Sequence, residues 1–190
     1  MIKINVKFIK NGDFKIGPIK LDIEAGILYH LTGKNGSGKS TLLNHIFRYY
    51  RDNISKKVIY CPDDYIGYRN IKINEIEKIY KLSSVDWDYD EYNFLYLKLL
   101  QVNKNKYIST LSTGERTKLL LCILLAFKPK LIIFDEALYS LDTESKELVL
   151  SYIKLYVKKN NAYFIGVSHD SELSQFIDKT IKITEVVVND

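Results

Sequence analysis

Apolar side chains near the start of the chain fall on every second position: Ile2, Ile4, Val6 and Phe8, then Ile19, Leu21 and Ile23. That period belongs to a half-buried strand, so strands are expected over 2–9 and 19–24, joined near the turn signal Asn11-Gly12-Asp13. A continuous apolar run predicts a buried strand over 27–32, and the segment from Ser40 to Tyr49 suits a helix ending near Arg51-Asp52-Asn53. Residues 58–61 make a short strand stopped at Pro62. Residues 73–82 and 90–102 read as helices, with Ile73, Ile76 and Ile79, then Phe94, Leu97 and Leu100, expected on their apolar faces. Another helix is expected over 114–127, a buried strand over 131–135, a helix over 142–158, a strand over 162–167 and a last short strand over 180–188. Strands alternating with helices after residue 27 imply a mostly parallel sheet flanked by helices on both faces. The early hairpin implies an N-terminal antiparallel β piece.

Length and composition narrow this picture. The chain has 190 residues, with 46% hydrophobic and 27% charged side chains. These values suit one soluble α/β domain with a sizeable core. No run reaches the roughly 18 apolar residues that would span a bilayer, and the first residues have no signal-peptide core, so a cytosolic location is expected. Cys61 and Cys122 lie in apolar stretches and read as buried free thiols. The net charge of +5 is spread along the chain without a block of one sign, which reads as a solvated surface.

The chemistry is concentrated in Gly33-Lys34-Asn35-Gly36-Ser37-Gly38-Lys39-Ser40-Thr41. This run fits G-x-x-x-x-G-K-[ST], a phosphate-binding loop, and it lies between a predicted strand and a predicted helix as that motif requires. Its glycines let backbone N–H groups converge on phosphate oxygens, and the helix N-terminus adds partial positive charge. In this reading Lys39 reaches the β- and γ-phosphates, and the Ser40 hydroxyl binds Mg²⁺. The strand 131–135 ends in Asp135-Glu136, which puts two carboxylates at a strand C-terminus, where α/β sheets bind ligands. Asp135 is the candidate Mg²⁺ ligand. Glu136 is the candidate base that polarises the attacking water. Taken alone, the same residues also describe a strand followed by a helix start.

Leu111-Ser112-Thr113-Gly114-Glu115, whose Ser112 stands twenty-three positions before Asp135, opens a predicted helix. By itself this run suits an ordinary capped helix start, with Ser112 or Thr113 as N-cap and Glu115 completing a capping-box pattern. In company with the other motifs, the stretch LSTGERTKLLLCILLAFKPKLIIFDEALYSLD resembles the ATPase domain of ABC proteins. It matches that family's signature (LSGGQ or LSGGE), Walker B strand and D-loop, the last at Ser140-Leu141-Asp142. The switch-histidine match is His169, 34 residues after Asp135. The resemblance covers nearly the whole chain. It implies a P-loop NTPase core with ATP and Mg²⁺ as cofactors, and a small helical subdomain at about 64–115 within a single domain of residues 1–190. It also implies catalytic roles for Glu136 and His169, and ATP contacts from the phosphate loop, Ser112, Gly114 and Asp142. Two chains, identical or related, would clamp two ATP molecules head to tail, each signature facing the partner's γ-phosphate.

Three positions depart from the family pattern. Asp63 stands where the Q-loop glutamine belongs; a carboxylate still binds Mg²⁺ but cannot donate to the attacking water. Thr113 replaces the first signature glycine, as in exporter-type members, and Ala137 replaces the usual proline. Phe8, with Phe14 second, is the candidate to stack on adenine, although either also suits a strand packed on the core. Residues 60–110 hold 8 of the 15 tyrosines and the only tryptophan, Trp87; these suit either an interface or the helical core. The leading expectation is the ATP-binding subunit of a bacterial export system, peripheral at the inner face of the membrane and driving a separate transmembrane subunit, with no nucleic acid bound. The alternative is a soluble ABC ATPase acting on a ribosome, DNA or an assembly scaffold. A module that holds ATP without hydrolysing it is a third reading, opposed by Glu136 and His169 and favoured by Asp63.

Overall fold

The computed structural model describes residues 1–11, 14–53, 57–62, 70–83, 86–168 and 175–183. The N-terminal alternation forms four short strands rather than two long ones. β1 (Ile2–Val6) pairs antiparallel with β4 (Ile19–Ile23), and β2 (Ile9–Asn11) pairs antiparallel with β3 (Phe14–Ile16). The break after Val6 has a steric cause. Gly17 has φ +133°, outside the range of a regular strand, and a Cβ there would stand 2.3 Å from the Lys7 carbonyl oxygen, so the ladder is interrupted where the two backbones meet.

Five strands form the main sheet, in the order β6 (Val58–Cys61), β7 (Leu131–Asp135), β8 (Tyr163–Val167), β5 (Leu28–Thr32) and β9 (Lys179–Lys182), with every pairing parallel. Alternation along these strands separates two cores. On one face Val58, Leu131, Ile133, Ile165 and Val167 pack with Leu42, Leu43 and Ile46 of α1 (Lys39–Asn53) and with Ile2 and Ile4 of β1. On the other face Ile59, Cys61, Ile132, Phe134 and Phe164 pack with α4 (Thr113–Leu125) and α5 (Thr143–Asn160). The same cluster takes in residues of α2 (Ile73–Ser83) and α3 (Tyr89–Leu99). Cys61 and Cys122 are buried free thiols; burial pushes the Cys61 thiol up to about 12 and that of Cys122 higher still.

The apolar face of α3 differs from the expected one. Tyr92, Leu95, Tyr96 and Leu99 are buried, whereas Phe94 is 50% and Leu97 59% exposed. Tyrosine decides the rotation, because its ring packs like an apolar side chain; the Tyr96 hydroxyl is satisfied inside, while that of Tyr92 is buried without a hydrogen-bond partner. Tyr92 packs against Trp87 with ring centroids 4.9 Å apart and planes tilted by 43°, and Tyr96 donates to the Val102 carbonyl at 2.7 Å. Lys104 lies 4.7 Å from the Tyr96 ring centroid and donates to Glu77 at 2.7 Å. Trp87, whose indole N–H donates to the Ile123 carbonyl at 3.2 Å, therefore belongs to the interior. On α2, Ile73 and Ile76 are buried as expected, but Ile79 faces outward. A 3₁₀ turn over Ile108–Thr110, absent from the sequence expectation, leads into α4. Among the described residues no helix is long and apolar enough to cross a membrane.

Candidate functional site

The phosphate loop runs from the C-terminal end of β5 to the first turn of α1. Gly36 and Gly38 have φ values of +79° and +88°, the left-handed region where a side chain is strained. Gly33 is required for space: a Cβ there would lie 2.7 Å from Ser37 Oγ and 2.8 Å from the Ile183 carbonyl oxygen. Ser37 N–H donates to the Lys34 carbonyl at 3.1 Å, closing the loop. Ser37 Oγ is buried without a hydrogen-bond partner. Lys39 is buried and folds back over the loop, its Nζ donating to the carbonyls of Gly33 and Lys34 at 3.0 Å each. Asn35 and Gly36 are exposed at the tip, and Thr41 follows Ser40 on the first turn of α1.

Strand parity brings the second carboxylate motif to the loop. Asp135 is the last residue of β7 and points to the same face as Leu131 and Ile133, the face that α1 covers. Ser40 Oγ donates to Asp135 Oδ1 at 2.9 Å, across 95 residues of sequence. Tyr60, on the neighbouring strand β6, donates from its hydroxyl to Asp135 Oδ2 at 2.6 Å. Beside these groups opens a cleft of about 370 Å³ lined by Ile9, Ser40, Thr41, Asn44, His45, Arg48 and Tyr60. Glu136 begins the turn after β7 with φ +55°, uncommon for a residue with a side chain, while its N–H donates to the Val167 carbonyl at 3.0 Å.

Ser112 is the N-cap of α4, and both halves of the capping box are present. Ser112 Oγ accepts from Glu115 N–H at 3.1 Å, and Glu115 Oε2 accepts from Ser112 N–H at 2.8 Å. The expected signature thus folds as an ordinary capped helix start, and an exposed helix N-terminus is also a place where anions can bind. Gly114 packs on the turn after β7, where a Cβ would stand 3.0 Å from the Ser140 carbonyl oxygen. Thr117 Oγ1 and Ser140 Oγ share a hydrogen bond of 2.8 Å. Asp142 caps α5, accepting from Ser145 N–H and from Ser145 Oγ at 2.8 Å each; these bonds, the backbone one foremost, hold its carboxyl below the usual range.

Loop and Walker B strand are therefore in direct contact, while the hydrogen bonds described for Ser112, Gly114's neighbour Glu115 and Asp142 run within α4, α5 and the turn between β7 and α5. Phe8 is 51% exposed between β1 and β2. Asp63 and His169 lie outside the described residues, and so does the side chain of Phe14. His30 Nε2 lies 3.0 Å from the Ser168 carbonyl oxygen. Tyr60 was missed in the sequence. Its contact with Asp135 depends on β6 being the strand beside β7, which periodicity does not reveal.

The residues present fit a phosphate and a divalent cation. Ser37 Oγ is an unused buried donor in the phosphate loop, and Lys39 rests on two neutral carbonyls of that loop. Ser40 and Asp135 form a pair of hard oxygen ligands of the kind Mg²⁺ takes.

The family model described as ABC transporter matches residues 16–139. The chain is 30% identical to the microcin-J25 export ATP-binding/permease protein McjD of Escherichia coli, over 95% of this chain and 35% of that one. It is 27% identical to the energy-coupling factor transporter ATP-binding protein EcfA1 of Leuconostoc mesenteroides, over 97% and 77%. The chain thus spans about a third of McjD and about three quarters of EcfA1. Its fold is similar to that of the ATP-binding cassette MJ0796, described as a dimer bound to ADP and Pi, with a TM-score of 0.73 at 21% identity over 97% of this chain and 95% of that one. With the matched model covering more than half of the chain, this protein belongs to the ABC transporter family, as an ATPase cassette.

Proposed function

We propose that the chain is the ATP-hydrolysing subunit of a bacterial export system, working as a head-to-tail dimer beneath a separate membrane subunit. The observation that carries the reading is the 2.9 Å bond joining Ser40 to Asp135, which unites the phosphate loop and the Walker B strand in one site. Backbone N–H groups of residues 36–41 and the hydroxyl of Ser37 bind the β- and γ-phosphates, and Lys39 exchanges its loop carbonyls for phosphate oxygens. Ser40, Asp135 and, by the resemblance, Asp63 would hold Mg²⁺, which supplies charge neutralisation at the β- and γ-oxygens. Glu136 accepts a proton from the water whose oxygen attacks the γ-phosphorus; the bond to the bridging oxygen breaks and ADP departs. His169 donates to the γ-phosphate, and Phe8 stacks on adenine. Ser112, Gly114 and Asp142 serve the partner chain's nucleotide.

Two observations support the dimer. Ser112 is exposed at a helix N-terminus, and the relative MJ0796 is described as a dimer. The likeness to an export protein and the threonine at position 113 support the export direction. The unit of α2 and α3 (the helical subdomain expected at about 64–115) turns Ile79, Leu82, Phe94 and Leu97 outward, which supports a docking role toward the membrane subunit. Tyr65 and Tyr68, where charged substitutions are expected to uncouple that subunit, lie outside the described residues.

Size-exclusion chromatography with MgATP and a phosphate-release assay test the mechanism. Glu136→Gln should bind ATP, lose turnover and elute as a dimer. Lys39→Ala should lose both binding and turnover. Wild-type turnover in either variant removes the assignment.

A further inference from the structure

We infer that Tyr60 is a positioning residue for the Asp135 carboxylate, fixing the plane in which that group meets the divalent cation. This rests on the reading of Asp135 as a cation ligand. A carboxylate turns easily about its terminal torsion, which has broad, roughly two-fold wells. A single donor on one oxygen leaves it a pivot; donors on both oxygens fix the plane. Ser40 holds Oδ1 at 2.9 Å, and the Tyr60 hydroxyl holds Oδ2 at 2.6 Å, within the range of an O–H to ionised carboxylate bond.

The donor is itself well placed. β6 and β7 run parallel with Tyr60 opposite Ile133, so Tyr60, Ile133 and Asp135 share the face under α1. The Tyr60 ring packs against Phe47 of α1, centroids 5.5 Å apart and planes at 41°. The hydroxyl is thus delivered by the register of β6, with the ring contact adding packing, and it takes the carboxylate oxygen that Ser40 does not. The same tyrosine lines the cleft beside Ser40 and Thr41. Losing the hydroxyl should leave the fold and the phosphate contacts in place, free the carboxylate to swing, and weaken cation binding.

Tyr60→Phe keeps the ring and removes the donor. Manganese titrations followed by electron paramagnetic resonance, in the presence of ADP, read cation affinity directly. Tyr60→Phe should weaken Mn²⁺ binding about tenfold, the scale of one hydrogen bond to a charged group. ADP affinity in EDTA should not change. The Mg²⁺ concentration for half-maximal ATP turnover should rise by a similar factor, with turnover at saturating Mg²⁺ near wild type. Phe47→Leu disturbs the same ring stack and leaves the hydroxyl; it should lower the melting temperature without shifting Mn²⁺ affinity, which separates packing from positioning. Asp135→Asn is the reference for the site. If it weakens Mn²⁺ binding and Tyr60→Phe does not, the role of Tyr60 is refuted while the ligand assignment stands. If Asp135→Asn also leaves Mn²⁺ affinity unchanged, the ligand assignment falls and the inference falls with it.

Discussion

Ser112 is asked to do two things: cap α4 in its own chain and face a phosphate of the partner's ATP. Two substitutions separate them. Ser112→Ala removes the acceptor that holds Glu115 N–H at 3.1 Å. Loss of such a cap costs about 1 kcal/mol, and for a chain of this size that lowers the melting temperature by about 2–4 °C. Ser112→Asp keeps the cap, because aspartate accepts from the same N–H about as well as serine. The added charge also suits a helix N-terminus, although it stands near the Glu115 carboxylate, which offsets part of the gain. Its melting temperature should stay within about 2 °C of wild type. The effect on the nucleotide is very different. A carboxylate ~4 Å from a phosphate charge, at the effective dielectric of a surface site, repels it by about 4 kcal/mol. That is roughly a thousandfold in affinity. Ser112→Asp should therefore fold normally and bind ATP as a monomer. It should fail to form the ATP-dependent dimer of a Glu136→Gln background, and its turnover should collapse. Calorimetry, nucleotide titration and size-exclusion chromatography with MgATP make the three measurements. Wild-type turnover in Ser112→Asp would show that the start of α4 meets no phosphate, and the head-to-tail arrangement would lose its physical basis.

Two further outcomes concern the helical unit. Lys104→Met should preserve packing over the Tyr92 and Tyr96 rings but leave the Glu77 carboxylate, whose side chain is 9% exposed, with Tyr89 as a neutral donor in place of a cation; a loss of up to about 3 kcal/mol in urea denaturation is expected. Asp88 is held below the usual carboxylate range by its hydrogen bond to Lys128 and by the N–H of Glu91. Its contribution is present above the unfolded value of about 4 and is lost as pH falls through the lower folded value. The stability gap between wild type and Asp88→Ala should therefore be full at pH 7 and shrink below about pH 4, as read by thermal melts across that range.

Much of the fold was legible because its strands are short and sharply bounded. Pro62, Pro129 and the Asp135-Glu136 pair end or flank apolar runs, and the sheet strands fall within a residue or two of the expected places up to residue 167. The order of those strands was not legible, since β6 lies beside β7 only through contacts spanning more than 70 residues. The N-terminal hairpin was misread because alternation carries through positions 6–9 while the ladder does not. The contact that breaks it, Gly17 against the Lys7 backbone, leaves no trace in the hydrophobic pattern. α3 was misread for a chemical reason: tyrosine suits either an interface or a core, the pattern does not say which, and Tyr92 and Tyr96 are the buried ones.

The site divides along the same line. A contiguous loop such as 33–41 is legible because its chemistry is local: strand, glycines, lysine and helix start occur in one run. The bond from Ser40 to Asp135 was implied by two motifs, each of which needs the other. Tyr60 had no such signature. A tyrosine in a β-strand is ordinary, and its reach to Asp135 follows from strand order, register and parity together. Ser112 marks a different limit. Its capping box occupies the N–H groups of Ser112 and Glu115, and the proposed anion site would use the ones between them at the same helix start, so neither pattern nor geometry within one chain separates the two roles. Only a charge placed at that position, where a cap tolerates it and a phosphate does not, distinguishes the two.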